Sequence, residues 1–208
     1  MKKGVIAVSL LVISTVCFAQ PIPPWHQINA LSEQVSKKVT AVQQDSPAKP
    51  VQKVGDQVMR KLSINGQQFK KVVDTFATKT NTGLKENKYT GSKANYIANQ
   101  LVEEGVASAY IKYVNVQKQY FARLDEQIHS YKASSNGFTE SQISAVTQYK
   151  QLVSSVNDKK QKALQERAAL VNYLNNSIPS VGNVMSYLIQ NKANLSAENE
   201  RILNSFIY

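Results

Sequence analysis

The 208-residue chain reads as an all-α protein: an elongated helical bundle around a long antiparallel helical hairpin, with shorter helices flanking it. Three observations predict this. Apolar side chains recur at steps of mostly three, four or seven along about 94–133 and again along 140–176, the period of one helix face. A turn cluster, Ser134-Ser135-Asn136-Gly137, separates those two arms. No segment keeps the two-residue alternation of a half-buried strand for longer than chance allows.

The chain opens Met1-Lys2-Lys3 and runs apolar from Gly4 to Phe18 before Ala19-Gln20-Pro21. A basic start, a short apolar run and a small residue before the cut describe a secretory signal peptide over residues 1–19. The apolar run is shorter than the roughly twenty residues that a membrane span needs. Cys17 is the only cysteine and leaves with that leader. An exported chain without disulfides must be held by its core, and residues 20–208 are long enough to form one. A cysteine-free exported chain with a Lys-Lys start suggests a bacterial envelope protein, periplasmic or displayed at the cell surface.

The formal charge is +11, unevenly placed. Residues 20–93 carry twelve Lys/Arg and five Asp/Glu, whereas residues 94–208 carry eleven and nine. Such asymmetry points to an acidic partner for the basic half. Outside the cytoplasm the candidates are an acidic surface of an envelope or secretion-apparatus protein, an anionic membrane, lipopolysaccharide or translocating DNA, set against a charge that serves solubility alone. Nucleic acid is not expected. Stacking platforms need aromatics in a basic groove, and Tyr110, Tyr120 and Tyr131 fall at or near the apolar stripe of the balanced half.

Taken in order, Gln20–Pro24 is Pro-rich and extended, and Trp25, the only Trp, follows. Ile28, Leu31, Val35, Val39 and Val42 then share a helical face. Ser46-Pro47-Ala48-Lys49-Pro50 reads as a linker. Val51, Val54, Val58 and Leu62 form a stripe that Asn65-Gly66 is expected to stop, and Phe69, Val72, Val73 and Phe76 form a short run beyond it. Asn81–Ser92 reads as a polar loop of about a dozen residues, long enough to be mobile or functional. The basic amphipathic stretches 52–62 and 67–80 are the segments that would lie on anionic lipid.

The first hairpin arm, 94–133, would be one helix of roughly 60 Å at 1.5 Å per residue. Gly105 and Ala109 place small residues four apart within it, which suits close approach by a neighbouring helix. The second arm has the clearest local signal. Thr139 and Gln142 make a capping box, and Phe138 with Ile143 makes a hydrophobic staple. Pro179 closes that arm. Val181, Val184, Met185, Leu188 and Ile189 give a short helical stripe, and Ser196 caps a last helix bearing Ile202, Leu203 and Phe206.

Catalytic and metal chemistry find little support. The two histidines are His26 and His129. Glu126 and His129 have the i, i+3 spacing used in di-iron bundles, but such sites need two of these motifs and two further Glu residues. The adjacent pairs Glu103-Glu104 and Asp125-Glu126 point to different helix faces. There is no nucleophile elbow, zinc-protease motif or phosphate-cradling Gly-rich loop. No enzyme activity, cofactor or metal is expected. The contact candidates are Trp25, the basic loop residues Lys85, Lys88, Tyr89 and Lys93, and the apolar end with Phe206 and Tyr208.

Ile22-Pro23-Pro24-Trp25 followed by Ile28-Asn29-Ala30-Leu31, in an exported helical chain of this length, resembles the minor-pilin, pilus-tip family of type IV secretion systems. That resemblance implies a structural and adhesive role without catalysis. It also implies long antiparallel helices with a smaller appended part.

Overall fold

A computed structural model describes residues 48–207, with side chains from residue 56 onward. The signal peptide expected over 1–19, the segment around Trp25 and the helix expected over 28–42 lie outside the described residues, as does Tyr208. Among the described residues the fold is all-α, with no strand. Three long helices, α1 (Ala48–Lys85), α3 (Val106–Ser134) and α5 (Thr147–Asn175), form the body. Four shorter ones complete it: α2 (Lys93–Glu103), α4 (Glu140–Ala145), α6 (Val184–Gln190) and α7 (Ala197–Ile207).

Helix α1 corrects the expected stop at Asn65-Gly66 and shortens the expected loop. It runs without interruption through both residues to Lys85. Val58, Leu62, Phe69, Val73 and Phe76 are buried on one stripe. Asn65 continues that stripe and satisfies its amide inside the helix, donating to the Lys61 carbonyl at 2.7 Å. A glycine in a helix interior costs only about 1 kcal/mol against alanine, less than burial of one large apolar side chain returns. The helix ends three residues beyond Thr82. Asn87 takes a left-handed conformation at φ 55°. The Lys88 amide then bonds the Gly83 carbonyl at 2.8 Å, and the Asn87 amide bonds that of Leu84 at 3.3 Å. This paired arrangement closes a helix C-terminus.

Both arms of the expected hairpin are broken. The first divides at Glu104-Gly105. Gly105 sits at φ 76°, where it ends α2 and also begins α3, its carbonyl accepting from the Ala109 amide at 2.9 Å. The buried seam takes a five-residue step there, from Leu101 to Val106. A left-handed glycine absorbs the extra residue at little steric cost. The second arm divides at Val146, which is extended at ψ 127° between α4 and α5. The capping box forms as expected: Gln142 N–H donates to Thr139 Oγ1, and Thr139 N–H donates to Gln142 Oε1. Phe138 and Ile143 meet in a small apolar cluster with Tyr131 and Val146.

Helix α3 is the central member. Met59 meets Tyr120, Gly66 faces Tyr113, and Phe69 packs on Tyr110, so α1 and α3 run antiparallel. Arg167 donates to Tyr110, Gln117 to the Ala163 carbonyl and Lys160 to Asp125, so α3 and α5 are also antiparallel. Contacts between α1 and α3 are more extensive than those between α3 and α5. The expected hairpin is therefore one side of a three-helix bundle, which α1, from the basic N-terminal segment, completes.

The short helices α2, α6 and α7 cap the end where α1 stops and α3 starts. Asn199 is buried and donates to Asn95 and Asn99 at 2.9 and 2.8 Å, tying α7 to α2. Phe206 stacks on Tyr110 with centroids 4.7 Å apart, tying α7 to the bundle core. Ser196 caps α7 as expected, accepting from the Asn199 amide.

Two predictions follow from this core. An alanine Cβ at position 66 would lie 3.5 Å from Tyr113, an ordinary van der Waals contact. Gly66→Ala is expected to raise stability by about 0.5–1 kcal/mol, because the helix gains propensity without a clash. Denaturant melts measure this, and a loss of stability would mean that the helix bends at Gly66. Tyr113 is 2% exposed, and its hydroxyl has no hydrogen-bond partner among the described residues. Burial first, then the nearby Glu166 charge, push its pKa up to about 12. A folded-state pKa above the unfolded value of about 10 means the stabilising contribution is complete below pH ~10. It is lost as pH rises through 12. Tyr113→Phe is expected to be neutral or stabilising at pH 7 and to lose less stability than wild type between pH 9 and 12. Parallel alkaline loss in both proteins would contradict this.

Candidate contact surface at the capped end

The short turn between α1 and α2 gathers the basic loop residues against aromatics from two other elements. Lys85 is the last residue of α1 and is exposed. Lys88 is exposed, and its ammonium pairs with Glu86 at 2.6 Å. That hydrogen bond and the Glu86 charge raise the Lys88 pKa, with a smaller contribution from Tyr96. Tyr89 is half-buried with its ring centroid 5.8 Å from that of Tyr96, on the first turns of α2. Lys93, the first residue of α2, places its ammonium 5.9 Å from the Tyr187 ring centroid on α6. Burial and then the nearby Tyr89 raise the Tyr187 pKa. Tyr89, Tyr96, Tyr187, Lys88 and Lys93 thus form one group, with Lys85 exposed three residues before Lys88.

Local chemistry explains why the turn holds this shape. Ser92 caps α2, its hydroxyl accepting from the Asn95 amide. Asn95 in turn donates to the Asn194 carbonyl and accepts from the Ser196 amide, which fixes α2 against the chain that leads into α7. Gly83 lies directly under Tyr96: a Cβ there would overlap the tyrosine hydroxyl and lie 2.6 Å from Cζ. Glycine is needed for space at this position, since only a missing side chain lets Tyr96 fold over the end of α1.

Of the sequence-predicted contact residues, Lys85, Lys88, Tyr89 and Lys93 are brought together here. Trp25 and Tyr208 lie outside the described residues. Phe206 is buried against Tyr110 and belongs to the core, so it is not presented for contact. Tyr187 and Gly83 were not legible as members of the group. Tyr187 lies almost a hundred residues downstream, and Gly83 looked like a loop residue. Tyr96 could be suspected from its proximity in sequence to Tyr89 and the lysines.

The other candidates resolve into ordinary pairing. Glu126 takes Arg123 at 2.6 Å, Asp125 takes Lys160 at 2.6 Å and Glu104 takes Lys79 at 2.7 Å. His129 is exposed. No group of three or more His, Cys, Asp or Glu able to hold a metal occurs among the described residues. A shallow, open depression of about 360 Å³ lies along α4 and α5, lined by Ser144, Tyr149, Lys150, Val153, Ser154 and Asn157. It gathers no carboxylate or histidine. Among the described residues, no helix is long and apolar enough to cross a membrane.

Gly83→Ala is expected to cost about 1–3 kcal/mol through overpacking against Tyr96. Combining it with Tyr96→Leu should recover part of that loss in a double-mutant cycle. Strict additivity of the two changes would show that the Gly83–Tyr96 contact does not set the turn.

Comparison with known proteins adds no relative: no family model, no curated protein and no solved structure matches the chain.

Proposed function

We propose that this chain is a non-enzymatic, exported helical protein of the bacterial envelope or cell surface. It acts by protein–protein contact, as a minor component of a pilus or secretion (conjugation) apparatus. The observation that carries this reading is the tyrosine–lysine face at the capped end. Half-buried tyrosines held by the fold beside the half-buried Lys93 and the exposed Lys85 and Lys88 have the composition of a contact surface, because tyrosine offers large area at low conformational cost. The sequence of residues 1–19 supports export, and the Ile22-Pro23 segment supports a pilus-type assembly.

Contact is preferred here over action on anionic lipid. The amphipathic stretches 52–62 and 67–80 would need a free apolar face to lie on a membrane. Val58, Leu62, Phe69, Val73 and Phe76 are instead buried in the bundle. A lipid-bound state would have to withdraw α1 from α3.

The test is photocrosslinking from position 89 in intact cells, with fractionation and N-terminal sequencing of the product. The expected result is a mature chain starting after Ala19, recovered from the envelope and crosslinked through residue 89 to another envelope protein. Recovery of the uncut chain from the cytoplasm, with monomer alone after crosslinking, would overturn the reading.

A further inference from the structure

We infer that the tyrosine–lysine face takes an acidic peptide segment of its partner, an extended run rich in Asp and Glu. This rests on the contact reading above and names the chemistry of what is contacted. Three lysines lie within nine residues, Lys85 to Lys93, and the one carboxylate in that stretch, Glu86, is already paired with Lys88. Lys85 and Lys93 have no carboxylate partner among the described residues, so two ammonium groups stand ready for anions from outside. Between them, Thr90 and Gly91 are exposed, and the space beside Gly91 is open. Their amides make no backbone hydrogen bond among the described residues, leaving main-chain donors at the same place. Carboxylates on ammonium groups and peptide carbonyls on free amides are the interactions this geometry supplies.

The aromatic arrangement argues against nucleic acid. Base stacking needs an uncovered ring face. Tyr89 and Tyr96 lie against each other at 5.8 Å, and Lys93 covers a face of Tyr187. Three lysines around one turn also make a point of attachment, whereas a polynucleotide requires a track of phosphate contacts. A membrane surface fits less well still. None of the exposed large apolar side chains falls between residues 83 and 96, and Ile189 on α6 is the single one near Tyr187, too little apolar area to insert among acyl chains.

The experiment uses the full mature protein and a fluorescein-labelled dodeca-glutamate peptide, with binding read by anisotropy at low and moderate salt. Binding is expected to weaken about tenfold in the Lys85→Gln/Lys93→Glu double variant, as loss of two charge-assisted contacts implies. Tyr89→Ala is expected to weaken it several-fold. Lys93→Glu sits in the first turn of α2, where negative charge is favourable, so folding survives; unchanged helical circular dichroism confirms it. Reversal of Lys159 and Lys162, both exposed on α5, serves as the control and should leave affinity unchanged. Equal loss in that control would overturn the inference by showing that net charge alone attracts the peptide. Tighter binding of a single-stranded oligonucleotide or of phosphatidylglycerol vesicles at Lys85 and Lys93 would overturn it in favour of those partners. Failure to bind dodeca-glutamate, with envelope crosslinks at residue 89 intact, would overturn the acidic partner and leave the contact reading standing.

Discussion

The packing of α1 on α3 is the constraint on which the other elements depend. It is an aromatic seam. Phe69 lies 5.9 Å from Tyr110, whose other neighbours are Phe206 and Arg167, and Tyr113 and Leu170 both lie over Gly66. Tyr110 therefore joins three helices: α1 through Phe69, α5 through Arg167 and α7 through Phe206. Large rings against a glycine and small residues let the backbones approach closely while burying much area. Gln117 adds a directional element. It is buried, and its amide reaches the main chain of α5 at Ala163, where a small side chain leaves room. A satisfied polar group in an otherwise apolar seam disfavours alternative registers, which would strand it.

The seam also sets where the contact face lies. Because α1 continues past Asn65-Gly66, its end is carried to the level of α2, α6 and α7. The left-handed Asn87 stops the helix there, and Gly83 lets Tyr96 cover the stop. The cap is then fastened by Asn199 to α2 and by Phe206 to α3. Lysines that the sequence places in a loop become part of a surface because a rigid bundle holds both ends of that loop. Loops held this way are common carriers of binding function.

Much of the fold was legible from periodicity, and the misses have definite causes. The all-α class, the turn at 134–138, the Thr139 capping box and the last two short helices follow from local rules. Asn65-Gly66 misled because propensity is a weak prior, and burial of Val58 through Phe76 on one stripe outweighs it. Gly105 misled in the opposite direction. The apolar pattern carries across it, and only the five-residue step from Leu101 to Val106 records the break. Val146 gives no signal at all, being an ordinary apolar residue in extended conformation. At the contact face, Lys85, Lys88, Tyr89 and Lys93 stand out by charge and proximity, whereas Tyr187 joins through tertiary structure alone.

Native-state hydrogen exchange across α1 tests the account most directly, because continuity of that helix positions everything at the capped end. The amides from Leu62 to Thr80 are expected to share the slowest exchange class with α3 from Tyr110 to Leu124. Protection should persist to Leu84 and fall away at Thr90 and Gly91. Fast exchange at Asn65–Gln67, or from Asn81 onward, would divide α1 into the two short helices that local propensity favours. It would also remove the support for the tyrosine–lysine face.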